Sequence, residues 1–177
     1  MIEHKILFTG TVGAGKTTAI QAVSEIPPVF TDVPSSDPEN IGKEMTTVAL
    51  DYGEISLGKA ERLRLYGTPG QERFSFMWKI LSQGALGLVI LVDHSRPDPV
   101  QDLLLYLEHF KELIRETACV VVISKMSAER QTPDVKEFTH TMQRLGMVYP
   151  VIAADVRDKD QVLWILDLLL VQMETRQ

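Results

Sequence analysis

The amino-acid sequence predicts a three-layer α/β fold built on a mostly parallel sheet of about six strands. Apolar, β-rich runs alternate along the chain with longer segments of helical period. Two of these runs, residues 85–93 and 118–125, are almost continuously apolar, as is typical of strands buried on both faces. One pair of strands is joined only through "GKA", which predicts a single hairpin in an otherwise parallel sheet.

The predicted elements follow one another in a regular order. A first strand at 5–10 leads to a helix that starts near Lys16. Residues 26–46 are rich in proline and polar residues and have no period, so they predict a long loop. The remaining strands and helices are predicted at 47–57, 61–67, 73–84, 85–93, 98–116, 118–125, 133–146, 147–155 and 159–176.

Length and composition fit one domain, expected to span residues 1–177 without a linker. The chain is 45% apolar and carries a formal charge of −6, which gives no electrostatic support for a nucleic-acid partner. Cys119 lies in an apolar run and is expected to be a buried structural thiol rather than a reactive one. No signal peptide, membrane-spanning run or lipidation motif is seen, so we expect a cytoplasmic protein without an intrinsic membrane anchor.

A phosphate-binding motif follows the first strand directly. Residues 10–18 read "GTVGAGKTT" and fit G-x-x-x-x-G-K-[ST] in a strand–loop–helix context. Glycines let backbone N–H groups curl around phosphate oxygens, Lys16 should reach the β- and γ-phosphates, and the Thr17 hydroxyl should ligate Mg²⁺. The alternative is a glycine-rich turn without chemical meaning. The predicted phosphate-binding residues, together called the cradle, are Gly10, Gly13, Ala14, Gly15, Lys16, Thr17 and Thr18.

The segment "TPGQE" at 68–72 narrows the class of P-loop protein. With the cradle, a threonine-bearing loop and the strand hairpin, it resembles the Ras-like small GTPases along nearly the whole chain. Their second switch usually reads D-x-x-G-Q. The resemblance implies that Gly70 donates its N–H to the γ-phosphate and that Gln71 orients the attacking water, with Lys16 as the other catalytic residue.

Gly67 departs from that pattern, because it stands where the family usually carries an aspartate that holds a magnesium-bound water. The sequence most resembles the bacterial polarity GTPases of gliding motility and their uncharacterised bacterial relatives, in which this aspartate is also replaced. Mg²⁺ takes few protein ligands, so the loss is tolerable in principle. Asp93, at the end of the next strand, is either an outer substitute or a residue that caps backbone.

The first switch is expected just before the second strand. "MTTVALDYGEI" offers Thr46 and Thr47, and the register of the resemblance favours Thr47 as the contact to γ-phosphate and Mg²⁺. The alternative is two β-favouring residues that begin a strand. The resemblance to the polarity GTPases implies an arginine just before this threonine, which acts in them as an internal arginine finger. Here that position is Thr46 and the nearest cation is Lys43, so intrinsic hydrolysis is expected to be slow.

The base-reading loop matches the family less well. The family pattern N-K-x-D corresponds to "SKMS", in which Lys125 can lie over the base and Ser127 replaces the aspartate that accepts two hydrogen bonds from guanine. "AAD" at 153–155 stands in place of the family's S-A-K loop, where the Ala154 N–H would meet guanine O6. GTP and GDP remain the expected ligands, with strictness for guanine open.

Two helices are predicted to expose apolar side chains. In 73–84 the core stripe is Phe74, Met77, Trp78 and Leu81, which leaves Phe76 and Ile80 on the opposite side. In the last helix Val162, Ile165, Leu166 and Leu169 form the stripe, while Trp164, Leu168 and Val171 point elsewhere. These residues are candidates for partner contact, with ordinary packing as the alternative.

The sequence therefore predicts a small GTP-binding protein that acts as a molecular switch and hydrolyses GTP slowly with Mg²⁺. The resemblance implies regulation by a small roadblock-fold protein, downstream effectors, and a role in bacterial polarity, motility or surface organelles. One alternative is a nucleotide-binding scaffold that no longer turns over, which Gly67 and Ser127 favour. The other is a small-molecule kinase, which leaves "TPGQE" unexplained and lacks an arginine-rich lid.

Overall fold

The computed structural model describes residues 2–27, 29, 50–126 and 135–175. The described strands are β1 (Ile2–Gly10), β2 (Tyr52–Ser56), β3 (Glu61–Gly67), β4 (Ala85–Asp93), β5 (Ala118–Ser124) and β6 (Val151–Ala153). The described helices are α1 (Lys16–Val23), α2 (Ser75–Ser82), α3 (Pro99–His109), α4 (Lys111–Glu116), α5 (Lys136–Arg144) and α6 (Lys159–Thr175). A short 3₁₀ turn, Glu72–Phe74, precedes α2.

In the described part of the chain, the six strands form one sheet in the order β2-β3-β1-β4-β5-β6. β2 pairs antiparallel with β3, and the other neighbours are parallel. The predicted α/β class, the strand number and the single hairpin are therefore confirmed. β1 lies between β3 and β4, so the winding of the sheet changes direction beside it, which is where open α/β sheets bind ligands.

Helices cover both faces of the sheet. α1 and α6 pack on one face with alternate β1 residues such as Phe8, whereas α2, α3, α4 and α5 pack on the other face with neighbours such as Leu7. The predicted stripe of α6 is confirmed by full burial of Val162, Ile165 and Leu169, and Leu166 is almost as buried. Cys119 is buried as expected.

The predicted helix over 98–116 is wrong in one respect, because it is broken at Phe110. Asp98 caps α3 by accepting a hydrogen bond from the Gln101 N–H, as the sequence predicted for a helix starting there. Phe110 leaves helical geometry, with φ −101° and ψ 12°, and its buried ring stacks on Trp78 with centroids 5.8 Å apart. The break coincides with this packing.

Other boundaries differ from the predicted ones. β2 begins at Tyr52 within the described residues, and β6 contains three residues rather than the nine of the predicted run. Before β6, Met147 and Tyr149 pack against the core instead of pairing in the sheet. Phe74 lies in the 3₁₀ turn and is half-buried, so the buried stripe of the switch helix is Met77, Trp78 and Leu81.

Some predicted features lie outside the described residues, namely most of the 26–46 loop and Pro133 at the predicted start of a helix. Among the helices that the structure describes, none has the length and apolar character needed to cross a membrane.

Candidate functional site

The predicted phosphate cradle lies at the carboxyl end of β1 and runs into the first turn of α1. Gly10 has φ +141°, and a Cβ there would come within 2.2 Å of the Leu91 carbonyl oxygen on β4. Gly15 has φ +105° at the start of α1, and a Cβ there would lie 2.7 Å from Cγ2 of Val156. Both positions therefore require glycine, and the cradle has no room for a side chain at either end.

Lys16 is the central cation of the cradle. Its side chain is 7% exposed, and its Nζ donates to the carbonyl oxygens of Gly10 at 2.7 Å and Thr11 at 2.8 Å. Burial lowers the pKa of Lys16 to about 8, and attraction to Asp51 opposes part of that shift. An ammonium has three N–H donors, so these two bonds leave one donor for an anion above the loop.

The loop that carries the cradle contains one further buried polar group, a hydroxyl without a hydrogen-bond partner among the described residues. The Thr11 hydroxyl is buried and makes no hydrogen bond to any residue that the structure describes. Buried polar atoms are nearly always satisfied, so an unpaired hydroxyl beside the Lys16 contacts is the kind of atom that a bound oxygen-rich group would satisfy. The residues present therefore fit a phosphate.

The loop that carries "TPGQE" approaches the cradle closely. A Cβ on Gly70 would lie 2.4 Å from the Val12 backbone N and 2.9 Å from Nζ of Lys16. Gln71, predicted to orient water, follows Gly70 and is exposed. The structure thus brings Gly70 and Lys16 together, and only a residue without a side chain fits at 70. Their contacts to a γ-phosphate stay a prediction.

Two aromatic side chains hold this loop from below. The Trp78 indole N–H donates to the Pro69 carbonyl at 2.7 Å, and the Tyr106 hydroxyl donates to the Gly70 carbonyl at 3.2 Å. Thr68 and Thr9, both buried, share a hydroxyl–hydroxyl hydrogen bond of 2.8 Å. Sequence analysis placed Trp78 in the core but missed its polar contact, because an apolar stripe carries no signal for it.

Thr17, the predicted Mg²⁺ ligand, is exposed at the start of α1 and contacts a carboxylate. Its hydroxyl donates to Oδ2 of Asp51 at 2.7 Å. Asp51 precedes β2, and its carbonyl accepts a hydrogen bond of 2.8 Å from the Gly67 N–H. Hydroxyl and carboxylate oxygens are hard ligands of the kind that Mg²⁺ prefers, so this pair fits the predicted metal.

Asp93 has a different set of contacts. Its carboxylate accepts hydrogen bonds from the Ser95 N–H at 2.9 Å, from the Ser95 hydroxyl at 2.6 Å and from Nζ of Lys125 at 3.1 Å. Burial alone would raise the pKa of Asp93, but the bonds from Ser95 and Lys125 outweigh it and hold that pKa below its usual range. Of the two interpretations of Asp93, backbone capping agrees with these contacts, because the carboxylate accepts the Ser95 N–H.

A cavity of about 700 Å³ adjoins the cradle on its other side. It is lined by backbone and side chains of Gly13, Ala14, Gly15, Thr18, Lys125, Met126, Ala153, Ala154, Asp155, Val156, Arg157 and Gln161. The predicted base-reading residues Lys125 and Ala154 thus share one cavity with the cradle. Its position and size suit a nucleoside attached to a phosphate in the cradle.

Lys125 adopts a left-handed backbone conformation with φ +56°, which is uncommon for a residue with a side chain. Its neighbour Ser124 is buried and donates its hydroxyl to the Ala14 carbonyl at 2.8 Å, which joins the base loop to the phosphate loop. From the sequence, Ser124 was interpreted only as the first residue of the base motif. Local strain at Lys125 is the kind that structures retain at functional sites.

The Ala154 N–H, predicted to bind the base, already donates a hydrogen bond within the protein. It donates to the Ile123 carbonyl at 3.1 Å, as an extension of the β5–β6 pairing. Next to it, the Asp155 N–H donates to Oε1 of Gln161 at 2.9 Å. Hydrogen bonds from Arg157 lower the pKa of Asp155 to about 2. Ala154 would meet a base through its N–H only by sharing or leaving its present bond.

Three predicted site residues lie outside the described residues: Thr46, Thr47 and Ser127. Four side chains predicted to be exposed lie among the described residues, and three of them are exposed, while their contact with a partner stays a prediction. Phe76 is 51%, Ile80 61% and Trp164 49% exposed. Leu168 differs from the expectation, because it is half-buried and packs against the α1–α6 core.

Two curated proteins are similar to this chain over part of their length. An uncharacterized protein of Methanocaldococcus jannaschii is 29% identical over 97 residues, which cover 53% of this chain and 53% of that protein. The GTP-binding protein ypt4 of Schizosaccharomyces pombe is 26% identical over 139 residues, which cover 76% of this chain and 57% of that protein. The chain therefore spans little more than half the length of the curated relatives it matches.

A family model described as "Conserved hypothetical ATP binding protein" matches residues 31–159, well over half of the chain. The match includes the "TPGQE" loop and the base loop and begins after the cradle, which is identified by its own motif and geometry. The cradle, the adjoining cavity and this match agree on a nucleotide-binding protein of the P-loop class. The chain belongs to the family of conserved hypothetical ATP-binding proteins.

Proposed function

We propose that this protein is a molecular switch that binds GTP with Mg²⁺ and hydrolyses it slowly. The observation that carries the proposal is the close approach of Gly70 to Nζ of Lys16 at the start of α1. A glycine that approaches the phosphate-binding lysine this closely can report the presence or absence of a terminal phosphate, because the phosphate and the loop compete for the same space. That competition is what a nucleotide switch requires.

Phosphate binding would rest on the chain's own charges and dipoles. Three groups favour an anion at the cradle: the third N–H of Lys16 and the Thr11 hydroxyl, neither of which has a partner among the described residues, and the N–H groups at the start of α1. Thr17 and Asp51 supply oxygens on the side toward β2. Mg²⁺, when bound there, would neutralise charge on the phosphate oxygens.

Hydrolysis would be slow for two reasons. Gln71 is exposed next to Gly70, so it can orient a water molecule only when the loop is ordered around a terminal phosphate. The resemblance places an arginine finger at the position of Thr46, and such a finger contributes roughly 10³–10⁵ in kcat where it exists. A partner that docks over Phe76 and Ile80, beside this loop, would supply the missing order or charge.

Two bases, guanine and adenine, are candidates for the nucleotide. The family's description names ATP, and the relative from Schizosaccharomyces pombe is described as GTP-binding. Ser127 cannot accept the two charge-assisted hydrogen bonds that an aspartate accepts from guanine, a difference of about 1.5–3 kcal/mol per bond. ATP binding is therefore the second candidate, with the same cradle chemistry.

The resemblance to polarity GTPases extends the proposal to biological context. We propose a roadblock-fold regulatory protein and downstream effectors as partners, and bacterial polarity, motility or surface-organelle control as the process. The exposed side chains of Phe76 and Ile80, which lie one turn apart on α2, support a protein partner, since exposed apolar clusters favour interfaces. Trp164 is exposed separately, on the helix that covers the other face of the sheet. A non-hydrolysing scaffold remains the alternative that Gly67 favours.

Calorimetric titration with GTP, GDP, ATP and ADP in the presence of Mg²⁺ tests the proposal. We expect tight binding of at least one di- and triphosphate pair, with GTP and GDP preferred. Lys16→Ala should abolish triphosphate binding, whereas Lys59→Ala, an exposed lysine in the hairpin, should not change it. Equal affinity of the Lys16→Ala variant and the unaltered protein would contradict the cradle assignment.

Two further measurements separate the alternatives. Phosphate release from bound triphosphate, with and without a roadblock-fold partner, distinguishes a slow switch from a scaffold that never turns over. Ser127→Asp should raise the GTP-to-ATP affinity ratio, because it restores the acceptor pair for guanine. An unchanged ratio would mean that this position does not read the base.

A further inference from the structure

The absence of a side chain at Gly67 creates a space, and the Asp51 carboxylate fills it. A Cβ placed on Gly67 would lie 2.8 Å from Cβ and 2.9 Å from Oδ2 of Asp51. Real Cβ atoms do not approach one another so closely, and directly opposed residues of an antiparallel pair keep theirs about 4.5–5.5 Å apart. Any other residue at 67 would therefore displace Asp51.

We propose that Asp51 provides the carboxylate of the Mg²⁺ site in this chain, in place of the aspartate that Ras-like GTPases carry at the position of Gly67. The proposal rests on the nucleotide-binding function proposed above. It assigns the carboxylate to a different strand, the start of β2 rather than the end of β3. Gly67 is then not a lost ligand but the residue that makes room for the replacement.

The position of Asp51 is fixed by the backbone. Tyr52 pairs with Tyr66 in the β2–β3 ladder, which places Asp51 opposite Gly67. The Gly67 N–H donates to the Asp51 carbonyl at 2.8 Å, so the pairing continues one residue beyond the strand. A carboxylate at this end of the hairpin lies at the same sheet edge as the cradle, because β3 runs parallel to β1.

The hydrogen bond between Thr17 and Asp51 gives the carboxylate a specific task. A threonine hydroxyl can ligate a cation only with its lone pairs, so its proton must point elsewhere. At 2.7 Å, Oδ2 of Asp51 accepts that proton and turns the lone pairs of Thr17 away from itself. The carboxylate would also place a negative charge beside the cation, which strengthens the binding of a divalent ion.

Charge balance in the cradle agrees with this assignment. Asp51 attracts the Lys16 ammonium and opposes the effect of burial on that lysine. Asp93, the other candidate from the sequence, is already engaged by both donors of Ser95 and by Lys125. Asp51 accepts one side-chain bond, from Thr17, among the described contacts, so it retains acceptor capacity for a metal-bound water.

The test compares nucleotide affinity with and without Mg²⁺. GDP and ADP are titrated into the protein in excess Mg²⁺ and in EDTA, and the ratio of the two affinities defines the magnesium gain. We expect Asp51→Asn to reduce the gain by about tenfold to a hundredfold, the size of one charge-assisted hydrogen bond. Glu61→Gln, an exposed carboxylate of the same hairpin, is the matched control and should keep the full gain.

Exchanging the residues at 51 and 67 separates an effect on the metal site from an effect on folding. Gly67→Asp alone should destabilise the protein, because its side chain collides with Asp51. The double variant Asp51→Gly with Gly67→Asp moves the carboxylate back to β3 and should recover most of the magnesium gain. Thermal unfolding in EDTA, without nucleotide, reports the folding of each variant separately.

The outcomes distinguish this inference from the proposed function. If Asp51→Asn binds nucleotide and keeps the full magnesium gain, Asp51 has no role in the metal site and the inference is wrong, while nucleotide binding stands. If the unaltered protein binds neither GDP nor ADP under either condition, the proposed function is wrong and the inference falls with it.

Discussion

The indole N–H of Trp78 and the carbonyl of Pro69 form a hydrogen bond of 2.7 Å that ties α2 to the "TPGQE" loop. Trp78 is buried against Tyr106 and Phe110, with ring centroids 5.0 and 5.8 Å away. A movement of Pro69 must therefore move the indole or break this bond. The proposed switch loop is in this way coupled to the aromatic core under α3.

Trp78→Phe should loosen the loop without emptying the core. The ring still packs between Tyr106 and Phe110, but the Pro69 carbonyl loses its donor, which costs about 1–3 kcal/mol of the free energy of unfolding. Urea denaturation measures the loss, and amide exchange of 68–71 should accelerate. Trp164→Phe, on the exposed face of α6, is the control and should change neither quantity. Unaltered exchange in Trp78→Phe would show that the bond does not restrain the loop.

Trp78 should also report nucleotide state by fluorescence. The sequence has two tryptophans, so the Trp164→Phe variant emits from Trp78 alone. A non-hydrolysable triphosphate should shift its emission relative to the diphosphate, because Gly70 lies beside Lys16, the proposed ligand of the terminal phosphate. Identical spectra in both states would contradict movement of this loop.

Gly15→Ala should abolish nucleotide binding, mainly through a collision. The new methyl group would meet Val156 at 2.7 Å and would also force a left-handed alanine, a strain of about 1–2 kcal/mol. Gly84→Ala also places an alanine at positive φ, +71°, with no described atom within 4 Å of the new Cβ, so it tests the conformational cost without a collision. Calorimetry should show binding for Gly84→Ala, and adding Val156→Ala should restore part of the binding to Gly15→Ala. No such rescue would mean that strain alone is responsible.

Gln71→Leu should matter only when a partner is present. Without a partner the missing arginine dominates the rate, so the substitution should change slow phosphate release little. With a roadblock-fold partner docked over Phe76 and Ile80, release should accelerate and Gln71→Leu should remove most of that acceleration. Single-turnover phosphate release measures both rates, with Gln83→Leu as an exposed control. A stimulated rate that survives in Gln71→Leu would rule out the water-positioning role.

The pKa of Lys16 predicts a pH-dependent stability of the nucleotide-free protein. Burial lowers that pKa to about 8 in the folded chain, against 10.5 when unfolded. Between these values the unfolded state binds more protons, so the contribution of Lys16 to stability rises with pH from about 8 to 10.5 and is lost as pH falls through 8. Relative to Lys16→Met, the free energy of unfolding should rise by at most about 1.4 kcal/mol per pH unit in this window. Urea denaturation of both proteins in EDTA checks the slope, and parallel curves would contradict the lowered pKa.

The sequence predicted the sheet better than the helices and the cradle better than its surroundings. Residues 85–93 form β4 as predicted, because a short, β-branched apolar run between turn signals is typical of a buried strand. The break at Phe110 was missed, since both halves of 98–116 keep one helical period across it. The cradle was found because its residue types are dictated by phosphate geometry at fixed spacing.

Contacts between distant segments account for most of what sequence reasoning missed. Thr17 and Asp51 are 34 residues apart, and Ser124 and Ala14 are 110 apart, so neither bond leaves a local pattern. Gly67 was interpreted as an absence, because a sequence shows which side chain is missing but not which neighbour takes its space. That information appears only when β2 is paired with β3.

The bond from Ser124 to Ala14 has a mechanical consequence. It spans from β5 to the loop after β1, and Lys125 with Asp93 forms a second brace between β5 and β4. The opposite flank depends on the edge hairpin, where β2 has a strand neighbour on one side only among the described strands. We therefore expect the two flanks of the cradle to be unequally stiff. The flank of the proposed nucleoside site is cross-linked and should hold its shape, while the flank of the proposed magnesium site, through Asp51, should move first when a ligand enters or leaves.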